Sequence, residues 1–116
     1  MKNSLIIKKI FSLNLSQSLV MDGDRIIAIE DIFGTDNMIN KYRQLNKQFK
    51  NLVFIKSIKK DQINEIDFPI IGNQTLELLF KFNFKAICLL NKNIIISNKI
   101  TFIENINKSK LSLIVI

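Results

Sequence analysis

The chain of 116 residues contains no histidine, one cysteine, one proline and three glycines. Without histidine, the usual general base and the commonest zinc ligand are absent, and Ser-His and Cys-His nucleophile pairs are excluded. Cys88 has no second cysteine with which to form an internal disulfide, which fits a reducing compartment. Any chemistry must therefore depend on carboxylates, lysines, backbone groups or a hard metal ion.

Long hydrophobic runs and flexible linkers are also missing. No apolar run approaches the roughly 18 residues that span a membrane. Residues 1–15 are apolar but interrupted by Lys8 and Lys9, and they lack the small-residue cleavage site of a signal peptide. No Pro- or Gly-rich segment, repeat or low-complexity block marks a domain boundary. With 47% hydrophobic and 23% charged residues, the composition indicates one folded domain with a single core.

The net charge of +7 has two explanations. A basic surface attracts anions such as nucleic acid, phosphate or an acidic membrane surface. The alternative is codon bias, because an AT-rich genome tends to encode chains rich in Lys, Asn and Ile, and the lysines are scattered rather than clustered. The usual nucleic-acid-binding motifs are absent, and few phenylalanines stand beside lysines, so we predict no nucleic-acid partner.

Apolar periodicity and turn residues predict the order β-β-α-β-α-β-β-α-β. Asp22-Gly23 between two apolar runs predicts a hairpin. The predicted strands are residues 17–21, 25–29, 52–55, 86–90, 94–96 and 111–116. Three helices are predicted. The first is capped by Thr35 or Asp36 and runs to about Gln48, the second is opened by residues 72–75, and the third is capped by Ser97 and runs to about Asn107. This alternation predicts an α/β three-layer sandwich, a mixed β-sheet with helices on both faces.

The first candidate site is the loop before the first predicted helix, where residues 28–36 read A-I-E-D-I-F-G-T-D. Free backbone N–H groups at a helix N-terminus favour phosphate, and Gly34 permits close approach of a ligand. Glu30 and Asp36 could hold Mg²⁺ together with phosphate and water. In the purely structural interpretation, Thr35 or Asp36 simply caps the helix.

The second candidate site is a long polar loop, where residues 56–69 read K-S-I-K-K-D-Q-I-N-E-I-D-F-P. Asp67 should lie in extended backbone because Pro69 follows closely, and its carboxylate could position water or bind a metal ion. Lys56 and Lys59 could neutralise a diphosphate as point charges. A solvated surface loop is the structural alternative.

Residues 72–75, G-N-Q-T, provide a second helix N-terminus that could receive an anion. Simple capping of that helix by Asn73 is the alternative. Cys88, inside the apolar run 86–90, is predicted to be a small core residue.

Together these segments resemble the C-terminal domain of the LpxI-type UDP-2,3-diacylglucosamine diphosphatases. The family pattern has a Gly-Gln-Ser-Val-Val-like strand, Asp-Gly, an Ala-Val-Glu strand end and Gly-Thr-Asp, and residues 16–36 read S-Q-S-L-V-M-D-G-D-R-I-I-A-I-E-D-I-F-G-T-D. Paired lysines and Gln…Asp-x-Pro-x-Ile-Gly follow, and residues 53–72 read V-F-I-K-S-I-K-K-D-Q-I-N-E-I-D-F-P-I-I-G. The resemblance covers residues 15–116. It leaves residues 1–14 as an N-terminal segment or linker, without the Rossmann-like domain that precedes this one in the family.

The resemblance implies hydrolysis of UDP-2,3-diacylglucosamine to UMP and 2,3-diacylglucosamine 1-phosphate in the lipid A biosynthesis of Gram-negative bacteria. Water attacks the α-phosphate, with Mg²⁺ as cofactor. The implied catalytic carboxylate is Asp67, and the implied metal ligands are Glu30, Asp36 and Asp67. The implied substrate-binding residues are Gln17, Gly34, Thr35, Lys56, Lys59, Gln62, Gly72 and Thr75. The chain departs from the family's Pro, Asp, Arg and Pro at Lys60, Ile63, Glu65 and Asn73.

The family's active site lies between its two domains. We therefore expect little or no hydrolase activity from this chain alone, and a separately encoded N-terminal LpxI-type domain as its partner. The expected location is the cytoplasm, where the lipid tails of the substrate would allow peripheral contact with the inner membrane. Two other functions stay open: a non-catalytic remnant or interaction domain, and a small basic nucleic-acid-binding domain.

Overall fold

The computed structural model of the protein describes residues 18–30, 33–41, 50–57, 70–90 and 94–115. The elements in this part of the chain follow the predicted alternation of strands and helices. They are β1 (Ser18–Asp22), β2 (Arg25–Ile29), α1 (Thr35–Lys41), β3 (Leu52–Lys56), β4 (Ile70–Ile71), α2 (Asn73–Lys81), β5 (Ala86–Leu89), β6 (Ile95–Ile96), α3 (Lys99–Asn107) and β7 (Ser112–Val115). Within the described residues, no helix is long and apolar enough to cross a membrane.

Five strands form one mixed sheet in the order β2-β1-β3-β5-β7. β1 is antiparallel to both of its neighbours, whereas β3, β5 and β7 are parallel. The predicted α/β class with a mixed sheet is therefore confirmed, while the placement of helices on both faces stays a prediction. The predicted hairpin is present, because Asp22 pairs with Arg25 across the turn and Gly23 supplies a φ of 58°.

One predicted strand lies outside this sheet. β6 pairs in parallel with β4, a two-residue strand that the sequence analysis did not predict, and the two form a separate small sheet. Two residues are too few to show an alternating pattern, and β4 directly follows Pro69, a residue that argues against a strand.

Two helix ends also differ from the predictions or lie outside the described residues. The predicted cap Ser97 is wrong, because Asn98 precedes α3 and has a left-handed conformation with φ 50°. Asparagine adopts that conformation more readily than most residues. The first helix begins at Thr35, which was predicted as a possible cap, and its predicted continuation over residues 42–48 is not among the described residues.

The side chains of the central strands alternate between two apolar clusters, as the period of a strand requires. Val20, Phe54 and Ile87 belong to the larger cluster, which also contains buried residues of α2 and α3. Leu19, Met21, Ile55 and Cys88 form the smaller cluster. Cys88 is buried and free, as predicted for a core residue.

The strand directions bring several chain segments to one edge of the sheet. Ser18, the first residue of β1, pairs with Lys56, the last residue of β3. Glu30 follows β2, and its backbone N–H donates to the Ser18 carbonyl at 3.0 Å. These three residues therefore lie at or just beyond the ends of three neighbouring strands, at the edge where β3, β5 and β7 have their carboxyl ends. α/β sheets commonly bind ligands at this edge.

Candidate functional site

The turn into α1 carries two predicted site residues toward this edge. Gly34 has φ 90°, a conformation that L side chains rarely adopt, and its carbonyl accepts the Met38 N–H at 3.2 Å in the first helical turn. A Cβ atom at this position would meet nothing within 4 Å, so backbone conformation rather than space explains the glycine. Thr35 and Asp36 follow as the first two residues of α1.

The carboxylate of Glu30 is held by a neighbouring hydroxyl. Thr35 donates its hydroxyl proton to Glu30 Oε1. Thr35 Oγ1 also lies 3.3 Å from Oγ of Ser18, whose side chain is fully buried. The structural interpretation of Thr35 as a simple helix cap is therefore wrong, because its hydroxyl is directed to a carboxylate.

The carboxylate of Asp36 is held in the same way from another helix. Thr75, the third residue of α2, donates to Asp36 Oδ1 at 2.6 Å. This short, charge-assisted bond joins positions 39 residues apart and links the first turns of α1 and α2. The side chain of Asp36 is therefore also not a simple helix cap.

Lys56 is only 4% exposed, and its charge interacts with those of both carboxylates. Burial lowers its pKa from the ordinary value of 10.5, and the negative charges of Glu30 and Asp36 oppose that shift. Within the described residues, the Lys56 side chain forms no salt bridge, so the ammonium group lacks a direct partner there. A buried cation without such a partner is a site at which a bound anion would be stabilised.

The start of α2 lacks a side-chain cap. Gly72 precedes the helix in an extended conformation, and no side-chain cap is found there among the described residues. The interpretation of Asn73 as the cap is wrong, because Asn73 Oδ1 accepts from Asn105 Nδ2 at 3.1 Å instead. The first turn of α2, which carries Thr75, is thus compatible with an anion.

The structure brings together five of the predicted site residues: Glu30, Thr35, Asp36, Lys56 and Thr75. Gly34 and Gly72 lie at the starts of the two helices that carry the threonines. Four predicted residues lie outside the described residues, namely Gln17, Lys59, Gln62 and Asp67. The individual roles of all these residues stay predictions.

Sequence reasoning missed Ser18. A serine at the start of a strand has no distinctive pattern, and its contact with Thr35 joins positions 17 residues apart. Its place beside Gln17 in the strand motif was the one available signal.

Each of the two carboxylates keeps one oxygen that could face a magnesium ion. Thr35 occupies one oxygen of Glu30 and Thr75 occupies one oxygen of Asp36. The other oxygen of each has no hydrogen bond within the described part of the chain. No group of three His, Cys, Asp or Glu side chains is found among those residues. Mg²⁺ is typically held by one or two carboxylates together with substrate phosphates and water, so the donor set fits.

Comparison with known proteins identifies the family of the chain. The family model of the LpxI C-terminal domain matches residues 1–114. The match includes residues 1–14, which are not among the described residues, so the boundary predicted at residue 14 stays a prediction. No curated protein matches the chain. Because the family match spans nearly all of its length, the chain belongs to the LpxI C-terminal domain family, a hydrolase family of lipid A precursor processing.

Proposed function

We propose that this chain is the C-terminal half of a UDP-2,3-diacylglucosamine hydrolase. In the proposed reaction, Mg²⁺-assisted attack of water on the α-phosphate gives UMP and 2,3-diacylglucosamine 1-phosphate. The observation that carries the proposal is the convergence of Glu30, Asp36 and the buried Lys56 at the carboxyl edge of the sheet, in a member of this family.

The charges of the site indicate that a substrate diphosphate would bind only together with a further cation. Lys56 provides one positive charge among two carboxylates, so the three groups together are negative. A diphosphate would therefore need a further cation, and Glu30 and Asp36 would hold it through their free oxygens. When bound, Mg²⁺ would offset the phosphate charge and polarise the phosphoryl oxygen.

A bound phosphate would stabilise the charged form of Lys56. Its burial is unfavourable for the charged form, and a phosphate oxygen would give the ammonium group the partner that the described residues do not provide. The uncapped first turn of α2 would contribute backbone N–H groups to the same anion. Substrate binding and catalysis would then depend on a residue that weakens the fold.

The predicted loop of residues 56–69 would supply the water-positioning group. It connects β3 to β4 in the sequence and carries Lys59, Gln62 and Asp67, which are not among the described residues. We assign Asp67 to water activation on the basis of the family pattern alone. Asp61 lies in the same loop and provides a matched control.

UMP release from UDP-2,3-diacylglucosamine tests the proposal. We expect little UMP from the purified chain alone, and Mg²⁺-dependent release when a separately expressed N-terminal LpxI-type domain is added. Asp67→Ala should abolish this release and keep substrate affinity, as measured by calorimetry, whereas Asp61→Ala should retain both. Equal loss in both variants would argue against the assignment of Asp67, and brisk release by the chain alone would refute the expectation of inactivity.

The same preparation separates the alternatives. The hydrolase proposal would be refuted if neither the chain alone nor its mixture with the N-terminal domain binds UDP-2,3-diacylglucosamine in the presence of Mg²⁺. If the substrate does not bind, salt-dependent retention on DNA or RNA would favour a basic nucleic-acid-binding domain. If the chain is not retained on nucleic acid either, a remnant or interaction domain would be favoured. Fractionation of cells should place the active protein in the cytoplasm, with a share at the inner membrane.

A further inference from the structure

We propose that Ser18 is a positioning residue of this site, acting through a one-way hydrogen-bond relay from Ser18 through Thr35 to Glu30. The inference rests on the proposed function, because it specifies how one of the two proposed metal-binding carboxylates is held. Glu30 would be presented to its ligand in one orientation, and the orientation would be set by a residue that touches neither metal nor substrate.

The direction of the relay follows from the number of protons. Thr35 has one hydroxyl proton, and that proton is donated to Glu30 Oε1. Thr35 Oγ1 is then an acceptor toward Ser18 Oγ, which lies 3.3 Å away. The proposed relay assigns the donor role in this contact to Ser18. Hydrogen bonds in such a chain polarise one another, so the Ser18 donor strengthens the bond from Thr35 to the carboxylate.

Ser18 also fixes the backbone of the same glutamate. Its carbonyl accepts the Glu30 N–H at 3.0 Å, so one residue restrains both ends of Glu30. Ser18 is fully buried and pairs with Lys56 within the sheet, which makes it a rigid anchor. The Thr35 hydroxyl is otherwise free to rotate about its C–O bond, and the Ser18 donor selects the rotamer that points the proton at Glu30.

The consequence concerns the second oxygen of Glu30. With Oε1 held by Thr35, Oε2 is left for a metal ion, and the carboxylate need not lose orientational freedom when the ion binds. Hydrogen bonds to metal-ligating carboxylates typically change metal affinity by roughly 10- to 100-fold. Thr35 should have an effect of that size, and Ser18, one step further away, a smaller one.

The relay is tested first without any ligand, by the side-chain carboxyl ¹³C resonance of Glu30. Ser18→Ala and Thr35→Val should each shift this resonance, and Ser18→Ala should add nothing in the Thr35→Val background. Thr35→Ser keeps the hydroxyl and should restore the wild-type position. Ser112→Ala is the matched control, because Ser112 also opens a strand but is exposed. A Glu30 resonance that Ser18→Ala leaves in place would overturn the relay.

The second measurement is Mn²⁺ affinity in the presence of UDP, followed by electron paramagnetic resonance. We expect Thr35→Val to weaken Mn²⁺ binding roughly 10- to 100-fold and Ser18→Ala roughly 3- to 10-fold, with the double variant equal to Thr35→Val. Additive losses would assign Ser18 a separate structural effect and overturn the proposal. If the wild type binds no Mn²⁺, the proposed metal site fails, and the Glu30 resonance still decides whether the relay exists.

Discussion

Replacement of Thr75 by valine removes the hydroxyl that joins α2 to α1 and keeps the branched shape of the side chain. The lost bond is short, 2.6 Å, and has a carboxylate as its acceptor. Hydrogen bonds to charged groups contribute about 1.5–3 kcal/mol to the free energy of unfolding. Asp36 and Thr75 are both half-buried, so water can replace part of the lost donor, and we take about half of that range.

The expected loss of stability is therefore about 0.75–1.5 kcal/mol. In a domain of this size, such a loss lowers Tm by about 3–6 °C. Urea unfolding followed by far-ultraviolet circular dichroism measures it, and the midpoint should fall without a change in the slope m. Thr75→Ser retains the donor and should recover most of the difference.

A second threonine provides the matched control. Thr101 is the third residue of α3, as Thr75 is of α2, and both helices have nine residues. Thr101 is exposed, so Thr101→Val should change stability by less than about 0.5 kcal/mol. If Thr75→Val and Thr101→Val have the same midpoint, the bond between Thr75 and Asp36 contributes nothing and the reasoning fails.

Three further predictions concern groups whose environment the structure defines. Lys56→Met should raise stability at neutral pH, because the pKa of Lys56 is lowered on folding and the charged form is disfavoured in the native state. Between that lowered pKa and 10.5, the unfolded wild type binds more protons than the native wild type, so wild-type stability rises with pH. Unfolding scans across this pH window should therefore show that the stability advantage of Lys56→Met becomes smaller. An equal advantage for Lys85→Met, at an exposed position, would contradict this reasoning. Gly34→Ala should lower the free energy of unfolding by about 1–2 kcal/mol, because Gly34 has φ 90°. Gly72→Ala should lower it by less than about 0.5 kcal/mol, because Gly72 has φ −138°. Equal Tm values for the two variants would contradict the argument from backbone strain. Burial raises the pKa of the Cys88 thiol, so a thiol reagent should react with the native protein far more slowly than with the urea-unfolded chain, and rapid labelling of the native protein would disprove its burial.

Local patterns predicted most of the fold. Asp22-Gly23 marked the hairpin, and the apolar runs that became β3 and β5 were found to within one residue. These features are short-range, since a turn type or a strand period depends on neighbours in the chain. The pairing of β4 with β6 joins two-residue segments 25 positions apart, Ile70 with Ile95, and no local pattern identifies such a pair.

In the candidate site, too, sequence patterns predicted individual residues but not their long-range contacts. The family pattern pointed to Glu30, Asp36 and Lys56, but it did not show that they meet. Their meeting follows from β1 lying between β2 and β3, because that order places the end of β2 and the end of β3 on either side of the start of β1. The order of strands in a sheet is a property of tertiary packing, which a single sequence does not display.

The small sheet of β4 and β6 ties two helices together at their first turns. The Ser97 N–H donates to the Ile71 carbonyl at 2.8 Å, and α2 and α3 each begin two residues beyond these partners. Asn105 of α3 adds its hydrogen bond to Asn73 of α2. We therefore expect a shift of α2 toward a bound phosphate to move α3 with it. Probes placed on exposed positions of α3, which carries none of the candidate site residues, should thus register occupancy of the site without disturbing it.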